Sequence, residues 1–284
     1  MNTLNTNTMK KLTFLAAITV FSAFSTFAQK NMSMHLREIG VNMGYSAYLG
    51  DLQPKTFTHS QPGGSFGLNF RQYFSDRISA KAFLNHARIQ ASDYKSGSYD
   101  LYNYRNLSFR NDLKELGFQA EIALFRYDKT NPYNDEKRKY FNFTPYAFVG
   151  VNGFYSNPKA FYKDQWVELQ PLTTENVTYS KFGMAIPFGL GFKYQYKSNI
   201  AVGLEFGMRK TFTDYLDDVS DKYPDMVALL IDKNQLAVDL SWRADEKNSK
   251  PKNYLPAEGT KRGDPSNKDW YLLTQFTIQY CIGK

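Results

Sequence analysis

From Glu38 onward the chain alternates. Ile39, Val41, Met43, Tyr45, Ala47 and Leu49 share one parity, and Gly40, Asn42, Gly44, Ser46 and Tyr48 share the other. A period of two marks a strand with one apolar face. The pattern recurs in Phe66-Leu68-Phe70, in Ile78-Ala80-Ala82-Leu84 and in Leu116-Phe118-Ala120-Ile122-Leu124. It returns in Phe143-Ala147-Val149-Val151, then along Phe182 to Phe192, Ile200 to Met208, and Phe276-Ile278-Tyr280. The expected fold is all-β: an eight-stranded antiparallel transmembrane barrel, the even count suiting single-chain closure. The 107–115 stretch and the region around Trp270 leave strand boundaries open.

The connections alternate in length. Phe74-Ser75-Asp76-Arg77 and Tyr196-Lys197-Ser198-Asn199 read as tight turns, and Asp128 to Tyr140 as a longer polar one. These and both termini are expected on the periplasmic side. The connections 51–63, 93–107, 156–180 and 212–268 are long and expected outside, the usual asymmetry of an outer-membrane barrel.

Period alone does not say which face points inward. A lipocalin-type barrel would hide the apolar face, a membrane barrel would expose it. Glycines on the polar face suit a crowded interior. Aromatics at strand ends (Phe74, Tyr127, Phe141, Tyr155, Tyr194, Tyr196, Tyr271, Tyr280) suit interfacial girdles, so the membrane barrel is the favoured reading. Mean hydropathy is −0.52; half-polar strands lower that average without implying solubility.

The first 28 residues read as a signal peptide. Met9-Lys10-Lys11 is a positive start, Leu12 to Phe24 an apolar run, and Thr26-Phe27-Ala28 a cleavage site before Gln29. The apolar run is short for a retained membrane anchor. No lipobox cysteine follows, so a lipoprotein is not expected. Loss of Lys10 and Lys11 lowers the formal charge from +8 to +6. The barrel is expected to occupy 29–284, with 212–268 as a long outer loop. Cys281 is the single cysteine, which excludes an intrachain disulfide.

The inward parity collects Arg71, Lys81, Glu115, Glu121, Lys193, Glu205 and Arg209. In a narrow barrel such charges should pair and plug the interior, which disfavours a pore. His35, His59 and His86 lie on separate segments without ligand spacing, so no metal site is expected. His86 with Ser92 or Asp93 is the only arrangement suggesting catalysis, and nothing pairs them; no catalytic residue or cofactor is expected. Asp214, Asp217, Asp218, Asp221 and Asp225 form an acidic run that lacks the order of a calcium loop. They are expected as helix caps and solvated surface, with Pro224 in a first turn and helical turns at 225–231 and 236–242. Residues 245–268 read as a mobile loop whose basic side chains face solvent or lipopolysaccharide phosphates. The compartment excludes nucleic-acid partners.

Longer stretches carry a resemblance. They include Glu38-Ile39-Gly40-Val41, Tyr48-Leu49-Gly50-Asp51-Leu52 and Arg105-Asn106-Leu107-Ser108-Phe109-Arg110. Phe148-Val149-Gly150-Val151, Asn157-Pro158-Lys159-Ala160 and Ile186-Pro187-Phe188-Gly189-Leu190-Gly191 follow. The most specific is Arg209-Lys210-Thr211-Phe212-Thr213-Asp214-Tyr215-Leu216-Asp217-Asp218-Val219-Ser220. Over nearly the whole mature chain this resembles the PorG-like outer-membrane barrels of Bacteroidota. The resemblance implies a barrel subunit of the type IX secretion and gliding apparatus, without enzymatic activity, contacting a periplasmic ring of PorK and PorN type. The family also includes paralogues of unsettled role. Glu136, Lys137, Arg138 and Lys139, in the polar turn, are the expected ring contact. The alternative is a stand-alone surface barrel, an adhesin or receptor, working through Tyr94, Tyr99, Tyr102, Tyr104, Phe161, Tyr162 and Trp166 in its outer loops.

Overall fold

The computed structural model describes residues 36–53, 61–75, 77–93, 105–124, 143–197, 199–247 and 255–282. The expected signal peptide, His35, His59, Tyr94, Tyr99, Tyr102 and Tyr104 lie outside them, as do Tyr127, Phe141 and the turn with Glu136, Lys137, Arg138 and Lys139.

Eight antiparallel strands close a barrel. They are β1 (Arg37–Leu49), β2 (Gly63–Tyr73), β3 (Ile78–Ser92), β4 (Ser108–Ala123), β5 (Phe143–Tyr155), β8 (Phe182–Lys197), β9 (Ile200–Thr211) and β10 (Trp270–Ile282). Each pairs with its chain neighbour, and β1 closes the ring on β10 from Arg37↔Ile282 to Leu49↔Trp270. Two further strands, β6 (Lys159–Tyr162) and β7 (Gln165–Glu168), form a hairpin joined to β4 at Arg110↔Lys159. The sequence pattern suggests only a long connection over 156–180, because the hairpin's strands are four residues each. Two short helices follow β9: α1 (Met226–Asp232) and α2 (Gln235–Ser241).

The barrel is inside out. Ile39, Val41, Met43, Leu68, Phe118 and Met184 are exposed, while Glu38, Asn42, Asn69, Glu121 and Glu205 are buried. A lipocalin would show the reverse. A continuous apolar exterior over closed, fully paired strands is what lipid requires of a spanning sheet. Among the described residues no helix is long and apolar enough to cross a membrane. Of the aromatics expected at the girdles, Phe74, Tyr194, Tyr196 and Tyr280 are exposed. Tyr271 is a correction: it has no exposed surface and its hydroxyl donates to Glu115 in the lumen. Its parity opposes that of Phe276, Ile278 and Tyr280, so the sequence already carried the sign.

Glycines on the inward parity make room for rings. A Cβ at Gly191 would collide with the ring of Tyr146, and one at Gly183 with that of Phe154. At the lower end, β2 turns tightly into β3. The amides of Phe74 and Ser75 donate to the Ile78 carbonyl, and the Ser75 hydroxyl accepts from the amides of Arg77 and Ile78.

The strands run further upward than alternation suggested, because the pattern inverts. Up to Leu84 and Leu116, which are paired, β3 and β4 point apolar residues outward. Above that pair the outward residues are His86, Arg88 and Gln90, opposite Lys114, Asp112 and Arg110. There the inward residues become Ala87, Ile89, Leu113 and Phe109, all buried. This upper section is built like a water-soluble barrel. Its apolar interior joins Leu52, Leu172, Leu216, Val219, Leu229, Leu240 and Trp242 of the loops in one core cluster.

Candidate functional site

The lumen holds a ladder of ion pairs. The Arg71 guanidinium lies 2.9 Å from Glu38, 2.7 Å from Glu121 and 3.3 Å from Glu205. Lys81 Nζ sits 2.6 Å from Glu205, and Lys193 Nζ sits 2.7 Å from Glu38. Tyr146 Oη donates to Glu205 at 2.5 Å, and Ser79 Oγ to Glu121 at 2.7 Å. Higher up, Arg209 faces Glu115 at 3.7 Å. Asn85 and Asn152 each donate to Glu115 at 3.0 Å. All seven charges of the inward parity therefore lie in the lumen, and Glu38, absent from the expected set, joins them. Glu38 shares its parity with Gly40, Asn42 and Gly44, so the signal was available. With it the described residues of the lumen include four cations and four carboxylates, and each of these carboxylates is within 4 Å of a cation.

That balance decides what the interior can do. A buried charge without a counter-charge is very costly, so neutral pairing is what makes a polar lumen tolerable. The lumen side chains are buried against one another. The cavity at the lower end, lined by Arg71, Tyr73, Arg77, Ser79, Thr144 and Lys193, measures about 20 Å³, room for about one water.

The upper end is closed by a cap knitted from all four long connections. Arg105 grips both oxygens of Asp93 at 2.7 and 2.9 Å. It also donates to the Asp51 carbonyl at 3.0 Å and to the Arg262 carbonyl. Arg262 in turn donates to Glu175 at 2.8 Å and to the Asp218 carbonyl at 2.6 Å. Asp218 accepts from Thr174 Oγ1 at 2.5 Å and from Tyr179 Oη at 2.6 Å. The Leu216 carbonyl accepts from Asn111 of β4 at 2.8 Å, and its amide donates to Asp269 at 2.9 Å. The Thr213-Asp214-Tyr215-Leu216-Asp217-Asp218 string thus crosses over the lumen mouth.

Two expectations are corrected here. Of the five acids, only Asp225 caps a helix, accepting from the amides of Val227 and Ala228; Asn234 caps the other. Pro224 precedes that cap instead of entering the helix. Asp214, Asp217 and Asp218 are buried, not solvated, because they hold the cap's backbone and hydroxyls. Within 245–268, Arg262 is 1% exposed and sits at the centre of the cap, so that part is not a mobile loop. The catalytic arrangement does not assemble. His86 lies 3.5 Å from Asp112, whereas Asp93 is held by Arg105.

The cap stores protonatable carboxylates. Tyr48 Oη lies 2.6 Å from both Asp217 and Asp269. One hydroxyl proton is shared between two acids, an arrangement that favours the protonated form of one of them. Burial pushes both carboxyls well above the usual range. It raises Asp214 and Asp218 to about 6 against the opposing pull of Lys268 and Arg262. A carboxyl raised on folding stabilises fully below its unfolded value near 4, and that stabilisation is lost as pH rises through the folded value. The cap is therefore expected to be tighter at pH 5 than at pH 8. Amide exchange at 213–220, corrected for intrinsic rates, should show greater protection at pH 5; equal protection would contradict this assignment.

A family described as a domain of unknown function (DUF6089) matches residues 15–232, which include β1 to β9 and α1. The chain belongs to the DUF6089 family. No curated protein matches it. Similar solved structures include the attachment invasion locus protein Ail of Yersinia pestis, 8% identical, covering 88% of this chain and 99% of that one, with a TM-score of 0.40. The outer membrane protein OprG of Pseudomonas aeruginosa is 10% identical over 88% and 99%, with a TM-score of 0.41. Neisserial surface protein A is 8% identical over 86% and 96%, with a TM-score of 0.38.

Proposed function

We propose that this DUF6089 barrel is a non-conducting, non-enzymatic subunit of an outer-membrane assembly, its cap outward and its tight turns and termini in the periplasm. One observation carries the reading. Among the described residues the lumen holds ion pairs that neutralise one another beneath a packed cap, an arrangement that assigns the work to surfaces. The PorG-like string from Arg209 to Ser220, now found folded across the lumen mouth, supports service in type IX protein secretion and gliding, against a ring of PorK and PorN type. Purified protein in planar bilayers is expected to give no stable conductance steps. A deletion strain is expected to retain cargo bearing type IX signals inside the cell; unchanged export would refute the secretion role.

A second reading, a surface receptor, draws on exposed apolar side chains: Phe161 and Trp166 of the hairpin, and Val227, Leu230 and Ile231 of α1. Normal export with loss of surface attachment would favour it.

A further inference from the structure

The inversion of polarity in β3 and β4 places a cluster of cations just above the apolar belt on the outer wall. Apolar outward residues stop at the Leu84↔Leu116 pair. The next outward rows are His86↔Lys114, Arg88↔Asp112 and Gln90↔Arg110. Aromatics flank the first of these. The Phe66 ring lies 5.0 Å from that of His86, and Tyr155, paired with Lys114, packs edge-on against Phe182 at 5.2 Å. Rings beside the end of an apolar belt mark the lipid–water interface. From residue 86 to 90 a strand advances about 14 Å, or roughly 10 Å of height when tilted. That is comparable to the polar headgroup layer of one leaflet.

Among the described residues the cluster holds more cations than carboxylates. Among the described residues one carboxylate, Asp112, pairs with both Arg88, which donates to its two oxygens at 2.7 and 3.4 Å, and Arg110, at 3.9 Å. Lys114 is exposed and has no ion pair among the described residues. Arg110 stands directly opposite Lys159 across the strand pair, an unfavourable like-charge pairing. Glu168 is already shared by Lys159 and Lys181. The Arg110 guanidinium is held 3.8 Å over the Trp166 ring, and its Nε has no hydrogen-bond partner among the described residues. The wall thus presents fixed, under-neutralised guanidinium and ammonium groups where lipid headgroups would lie.

We propose that Arg88, Arg110 and Lys114 bind the phosphate groups of a phosphorylated glycolipid of the outer leaflet, of the lipid A class. The proposal rests on the reading that the belt lies in the outer membrane with the cap outward. Charge complementarity and continuity with the lipid-facing belt select this occupant. Guanidinium groups fit phosphate oxygens through paired N–H donors.

The test is native mass spectrometry of the full mature barrel in detergent with bisphosphorylated lipid A. Wild type is expected to retain the lipid, and to retain a singly phosphorylated form less well. The R88Q/R110Q/K114Q variant should bind at least about tenfold more weakly, each basic group contributing a comparable share. A charge-matched cap variant, K222Q/K233Q/K261Q, should bind like wild type. Heat-modifiable migration verifies that each variant is folded. Wild-type retention by the first variant would overturn the proposal, as would displacement of the lipid by equimolar inorganic phosphate. Orientation is read separately, from Glu258→Cys in a C281S background labelled on intact cells with an impermeant maleimide. Labelling only after lysis would overturn the orientation and the proposal with it. Surface labelling combined with undiminished binding by the first variant would overturn the lipid site alone.

Discussion

Replacing Arg71 with Met is expected to destabilise the barrel by about 3–5 kcal/mol, the usual cost of breaking a buried ion pair by removing one partner. Arg71 touches three carboxylates from three other strands: Glu38 of β1, Glu121 of β4 and Glu205 of β9. Without it, Lys81 and Lys193 would face three buried acids alone. The measurement is a urea titration of the refolded protein in lipid vesicles, followed by heat-modifiable migration. A second variant, R71M/E121Q, restores neutrality and should recover more than half of the loss. An unchanged midpoint for R71M would mean that water, not Arg71, neutralises those acids, and would reopen the lumen as a solute path.

Replacing Arg105 with Leu is expected to open the cap while leaving the barrel folded. Arg105 joins three connections, through the Asp51 carbonyl, the Asp93 carboxylate and the Arg262 carbonyl. Its loss leaves Asp93 buried and unpaired, at a cost of about 3 kcal/mol or more. Amides of the cap, such as those of Leu107, Arg262 and Gly263, should exchange roughly a hundredfold faster, the equivalent of that cost. Amides of the lower strands should be unaffected. The R105L/D93N pair should regain part of the protection by removing the stranded charge. Equal exchange in R105L would show that the apolar cluster around Leu52, Leu216 and Leu240 holds the cap unaided.

The two variants separate two layers with opposite construction. Below Leu84 and Leu116 lipid is the solvent outside, so apolar residues face out and charges pair within. Above that line water is the solvent outside, so the parity inverts and an apolar core forms beneath the loops. One alternation therefore does not run the length of β3 or β4. The apolar-outward alternation holds to Leu84 in β3 and from Leu116 in β4, and beyond that pair the phase changes. The strands themselves continue to Ser92 and back to Ser108, paired throughout.

The sequence by itself determined the eight barrel strands and their two-faced alternation below Leu84 and Leu116, since a period of two needs only local geometry; which face meets lipid it could only favour, from the glycines and the aromatics at strand ends. It also placed the seven lumen charges, and parity would have added Glu38. It supplied the two short helices, because Asp225 and Asn234 are local caps. Tertiary structure alone decided the rest. That Arg71 meets Glu205, 134 positions away, depends on how eight tilted strands stagger around a ring. That Asp214, Asp217, Asp218 and Arg262 are buried depends on four loops converging on one mouth. An isolated acidic run reads as solvated because local sequence contains no information about the hydroxyls, amides and cations that other loops bring to it. Burial and pairing are properties of the assembled cap, and they turn a segment that looks like surface into the element that closes the barrel.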